Sequence, residues 1–127
     1  MLRIAITAAF LAGAPVAAFA HGTPPPAAHG GQVAEDSAEH WVEMVIQAEK
    51  LTVYVLDGDK NPVPSSQLAG KATVLIDGKS QQVVLAPGEG NSLTGRLDAA
   101  ASGKMTAVLS LTVAGKPTQA RFASVQP

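Results

Sequence analysis

Three histidines have the widest chemical reach of any residues in this chain, and all fall early, at His21, His29 and His40. Residues 41–127 contain none. Imidazole is the commonest nitrogen ligand for zinc, copper and nickel. If the chain is processed after Ala20, His21 becomes a new N-terminus. Its α-amine and its own imidazole can then close a chelate ring on one ion. A second imidazole, from His29 or His40, would complete a three-nitrogen set suited to Cu(II). The flexible tail between His21 and His29 permits this convergence but opposes it entropically, at about 1–2 kcal/mol per ordered residue. Metal binding would have to offset that cost. The expected ligands are therefore His21, His29 and His40, and the expected ion is Cu or Zn. The plainer readings are that cleavage happens to expose His21, that His29 is a loop residue before Gly30-Gly31, and that His40 is a boundary residue opening a strand.

Other candidates are weaker. Glu35, Asp36, Glu39 and Glu43 lie near the histidines, and carboxylates serve as outer-shell partners of ligating imidazoles. Taken one by one they read first as a solvated acidic edge. Met44 and Met105 offer thioether sulfur to Cu(I), but both fall in the inward register of strands, where they pack. Asp57-Gly58-Asp59-Lys60-Asn61 resembles the start of a calcium loop. It fails where the glycine position holds Pro62 and the closing glutamate position holds Leu68. No serine sits in a Gly-x-Ser-x-Gly setting, no glycine-rich phosphate loop exists, and no carboxylate pair suggests acid–base work. No enzymatic activity is expected.

The elements that must position these residues read as short β runs separated by turn residues. Met1-Leu2-Arg3, an apolar stretch to Ala18 and the closing Ala18-Phe19-Ala20 form the three-part layout of a cleavable secretory signal over 1–20. The apolar stretch is short for a membrane span, which needs about 20 residues, and no membrane association is expected once the signal is removed. Residues 21–31 read as a flexible Pro/Gly/His tail, and 32–127 as one domain. Strands are expected over 40–47, 51–56, 71–76, 79–85, 92–97, 104–113 and 117–123. Alternation puts Val42, Met44 and Ile46 on one face of the first, with Trp41 on the other, where it either packs against a second sheet, the reading preferred, or is exposed as a binding residue. Asp77-Gly78 is the strongest hairpin signal. Ala99 to Gly103 reads as a linker. Pro117 suggests that the last strand begins at a sheet edge.

About seven strands with no convincing helix give an all-β fold. The expected architecture is an antiparallel immunoglobulin-like two-sheet sandwich, with a small barrel as the alternative. The chain has no cysteine, hence no disulfide and no thiolate metal site. Removing residues 1–20 of 127 leaves 107, enough for one core. The mature chain carries a net charge of about −2, without the basic patch that nucleic acid requires.

His29-Gly30-Gly31, His40-Trp41-Val42-Glu43-Met44-Val45, Leu51-Thr52-Val53-Tyr54-Val55 and Asp57…Lys60-Asn61-Pro62-Val63 together resemble a family of small periplasmic proteins. Gly70-Lys71-Ala72-Thr73-Val74-Leu75 and Lys116-Pro117-Thr118-Gln119-Ala120-Arg121-Phe122 extend the resemblance over most of 29–122. Related domains occur beside, or fused to, the periplasmic adaptor subunits of heavy-metal efflux systems. The resemblance implies a periplasmic β-sandwich near copper, zinc, cobalt or nickel handling, with a heavy-metal efflux adaptor or another envelope protein as partner. His29 and His40 belong to the resembling motifs and His21 does not. An interaction module of the cell envelope that binds no metal is the competing expectation.

Overall fold

The structure, a computed structural model, describes residues 23–98 and 104–125. The expected leader, His21 and the whole 99–103 linker lie outside these residues. Eight strands form in chain order: β1 Gln32–Glu35, β2 Trp41–Gln47, β3 Lys50–Leu56, β4 Leu68–Ile76, β5 Lys79–Pro87, β6 Ser92–Arg96, β7 Met105–Val113 and β8 Lys116–Val125. One short 3-10 turn, Ser65–Gln67, precedes β4. The all-β, antiparallel expectation holds. The strands hydrogen-bond in the single order β1-β2-β3-β6-β5-β4-β7-β8.

Turn chemistry sets the hairpins. Ala48, Asp77 and Ala114 adopt positive φ, as does Gly78 after Asp77 and Gly115 after Ala114. A pair of left-handed residues at Asp77-Gly78 and Ala114-Gly115, and a left-handed first residue at Ala48, match the right-handed twist of the flanking strands. They fix the registers Gln47↔Lys50, Ile76↔Lys79 and Val113↔Lys116. Asp57 closes the turn after β3: its Oδ1 accepts the N–H groups of Asp59 and Asn61, each at 2.9 Å. That side chain holds its own backbone in a turn.

Period-two alternation then builds the core. Val42, Met44 and Ile46 from β2, Leu51, Val53 and Val55 from β3, and Met105, Leu109 and Leu111 from β7 are all buried in one cluster with residues of β4, β5, β6 and β8. Each fully buried Leu, Val or Met contributes roughly 1.5–3 kcal/mol. Both internal methionines are core residues, as their register implies.

Two halves of the sheet meet within β5. Its first part pairs with β4, while Ala86↔Thr94 and Pro87↔Leu93 pair it with β6. At the far edges β1 approaches β8, which brings the sheet close to a closed cylinder. Gln32 Nε2 donates to the Ala123 carbonyl (2.9 Å), and Ser37 N–H donates to the Gln119 carbonyl (2.9 Å). Strand β1 is the element that the sequence reading omits: four residues carry too little alternation to stand out, and pairing with β2 creates it. Trp41 corrects another expectation. It is buried, with 1% exposed, but on the outer face of β2, outside the main core cluster. Pro25 and Pro26 of the N-terminal segment and Val33 of β1 line a small cavity together with Trp41 on that face.

Candidate functional site

The two described histidines each meet a buried carboxylate. His29 lies in the turn before β1, and Glu43 and Tyr54 are direct cross-strand neighbours on the outer face of β2 and β3. The His29 ring rests on the Tyr54 ring with centroids 3.6 Å apart and planes inclined by 3°. Its Nδ1 is 2.9 Å from Glu43 Oε1. Glu43 Oε2 accepts the backbone N–H groups of His29 and Gly31, both at 2.9 Å. One carboxylate thus ties down the whole turn. Gly31 is required for this approach, because a Cβ there would collide with the Met44 carbonyl.

Burial pushes the Glu43 carboxyl up, yet its pKa ends below the ordinary carboxylate value. The His29 ring bond, the N–H groups of Gly31 and His29, and the charge of His29 together outweigh desolvation. Glu43 is therefore ionised at neutral pH and can only accept. The neutral His29 ring must place its proton on Nδ1, which leaves the lone pair on Nε2. No described group bonds that Nε2, and 43% of the side chain is exposed.

His40 repeats the arrangement in the loop between β1 and β2. Asp36 Oδ1 accepts the N–H groups of Ala38 (2.9 Å) and His40 (2.8 Å), while Oδ2 lies 2.8 Å from His40 Nδ1. The Asp36 N–H donates to the His40 carbonyl and the Glu39 N–H to the Asp36 carbonyl. Glu39 takes positive φ to complete the loop. The Asp36 side chain is fully buried and that of His40 is 20% exposed.

Asp36 and Glu43 are therefore not part of a solvated acidic edge, as reading them one at a time suggested. Each is a buried outer partner to one imidazole. The structure does not bring the two histidines onto a common group. His29 is fixed to Glu43, three strand residues beyond His40, a span of about 10 Å along β2. Among the described residues no group of three or more His, Asp or Glu is assembled to hold an ion. His21 lies outside the described residues. The pairing of Glu43 with Tyr54 under His29 is the part that sequence reasoning missed. The only available signal was the equal alternation of β2 and β3 across a short turn, which places 43 opposite 54. Among the described residues no helix is long and apolar enough to cross a membrane. Comparison with protein-family models, with curated proteins and with solved structures finds no match to this chain.

Proposed function

We propose that this is a periplasmic transition-metal-binding protein of the copper or zinc class, which buffers or delivers the ion to an efflux adaptor or another envelope partner. The observation that carries the reading is the repeated carboxylate–imidazole pair. In metal sites a ligating histidine donates its second ring N–H to a carboxylate, which fixes tautomer and orientation and raises basicity. His29–Glu43 and His40–Asp36 both have that form. Each presents one prepared nitrogen, Nε2. Such one-nitrogen half-sites suit transient handover more than storage. His21, through its amine and imidazole, would raise coordination once the leader is removed. The secretory layout of residues 1–20 supports the periplasmic part of the proposal. The immunoglobulin-like two-sheet description belongs to the same reading, supported by the narrow junction of two residue pairs between the halves.

The test is a titration of the processed protein with Cu(II) and with Zn(II), read by the imidazole NMR signals and by quenching of Trp41, the only tryptophan. The expected result is binding that weakens in His29→Ala and in His40→Ala, with Cu(II) binding also weakened by one extra residue before His21. Affinity unchanged in the double variant would overturn the proposal. A metal-free interaction module is the alternative, and it draws on a different part of the molecule.

A further inference from the structure

The charges of the sheet are unevenly divided. Strands β4, β5, β7 and β8 carry Lys71, Lys79, Lys116 and Arg121 and not one Asp or Glu. Strands β1 and β2 carry Glu35 and Glu43 and no Lys or Arg. Register converts the first fact into a surface. Val84, Lys71, Ser110 and Gln119 are successive cross-strand neighbours over β5, β4, β7 and β8. All four are exposed, and Val84 is 80% exposed, the most exposed large apolar side chain described. The next row is Gln82, Thr73, Val108 and Arg121. Neither Lys71 nor Arg121 has an ion-pair partner among the described residues. A shallow cleft of about 720 Å³ lies over this face and includes Lys71, Val84, Ser110 and Gln119 in its walls.

We infer that the outer face of β5-β4-β7-β8 is a docking surface for an acidic, extended polypeptide segment of a partner protein. Carboxylates of that segment meet Lys71 and Arg121, neither of which is held in an ion pair by a described residue. An apolar side chain covers Val84, and the hydroxyl and amide groups between them accept and donate along the segment's backbone. The strands of the other half, β1, β2, β3 and β6, balance Glu35 and Glu43 with Lys50 and Arg96, so the strands with an excess of positive charge are β5, β4, β7 and β8, and an acidic segment is steered to that side. The surface uses none of the histidines and does not depend on the metal reading.

The experiment uses the full chain in EDTA, so that failure of the metal proposal cannot affect it. The probe is a fluorescein-labelled peptide of ten alternating Glu and Val residues, followed by anisotropy. The same peptide with Lys for Glu, and dextran sulfate as a competitor, are the comparisons. The expected result is saturable binding that falls as salt rises. It should weaken at least tenfold in Lys71→Glu/Arg121→Glu, weaken several-fold in Val84→Ser, and stay unchanged in Lys50→Glu on β3. Unaltered Trp41 emission would show that the variants remain folded. The proposal is overturned by no binding, by equal binding of the lysine peptide, or by affinity indifferent to Lys71 and Arg121. It is also overturned if dextran sulfate competes fully while Val84→Ser has no effect, since the face would then be a general polyanion surface.

Discussion

Replacing Glu43 by alanine isolates the clasp that holds the N-terminal segment on β2. The wild-type carboxylate accepts three N–H groups, from the His29 ring, the His29 backbone and the Gly31 backbone. Hydrogen bonds to an ionised group contribute about 1.5–3 kcal/mol each when donors are left buried. Here the sum is smaller, because His29 is 43% exposed and its donors regain water once the turn lifts. A loss of about 2–3 kcal/mol follows, or roughly 10 °C in Tm for a domain of about 100 residues. Glu43→Gln keeps an acceptor oxygen and loses the charge, so it should cost about half as much. The pH dependence has a definite sign. A carboxyl whose folded pKa lies below its unfolded value of about 4.5 stabilises fully above that value and loses its contribution as pH falls through the folded pKa. The gap between wild type and Glu43→Gln should therefore be largest near pH 7 and shrink below about pH 4.5. Urea unfolding followed by Trp41 emission, repeated from pH 3 to pH 7, measures this. A Glu43→Ala variant within about 0.5 kcal/mol of wild type at pH 7, or a gap that does not change with pH, would refute the reasoning.

Gly31→Ala should disturb the same clasp sterically, since the new Cβ meets the Met44 carbonyl. The expected outcome is a loss of about 1–3 kcal/mol with the His29 ring signals shifted toward those of a free imidazole. Tyr54→Leu keeps the fold and removes the ring beneath His29, costing about 0.5–1.5 kcal/mol beyond area burial, checked by melting and by the loss of ring-current shifts on His29. Asp36→Ala should open the loop between β1 and β2, because Oδ1 and Oδ2 hold two backbone N–H groups and the His40 ring. Faster amide exchange at Ala38 and His40 would report it. Leu109→Ala leaves a cavity among fully buried neighbours, with an expected loss of about 2–5 kcal/mol in chemical denaturation.

Strand identity was legible in the sequence wherever alternation ran for five residues or more. Leu51, Val53 and Val55, and likewise Met105, Ala107, Leu109 and Leu111, declare one buried face by spacing alone, and Asp77-Gly78 declares its hairpin. What escaped was decided between distant segments. The four residues of β1 become a strand only through partners on β2. Trp41 is buried on the outer face, where Pro25 and Pro26 line the same small cavity, and nothing in the local pattern of β2 specifies neighbours from so much earlier in the chain. The histidines stood out by type, but their carboxylate partners did not. Asp36, four residues before His40, meets its ring only when the loop closes, and Glu43 reaches His29 only because β2 and the N-terminal turn lie side by side. Closure of the sheet edges was also invisible, since it joins 32 to 123 through a side chain and a carbonyl.

That last junction has a consequence for how the molecule assembles. Hairpins such as β2–β3, β4–β5 and β7–β8 form between neighbours in the chain, whereas the contact of Gln32 with Ala123 spans 91 residues. Loop-closure entropy delays such a long-range meeting until the local hairpins exist. The first and last strands should therefore meet late, after the hydrophobic interior has condensed. In the interval two unpaired strand edges face water. That brief open stage, more than the finished protein, is when another extended chain could be captured in place of the molecule's own end.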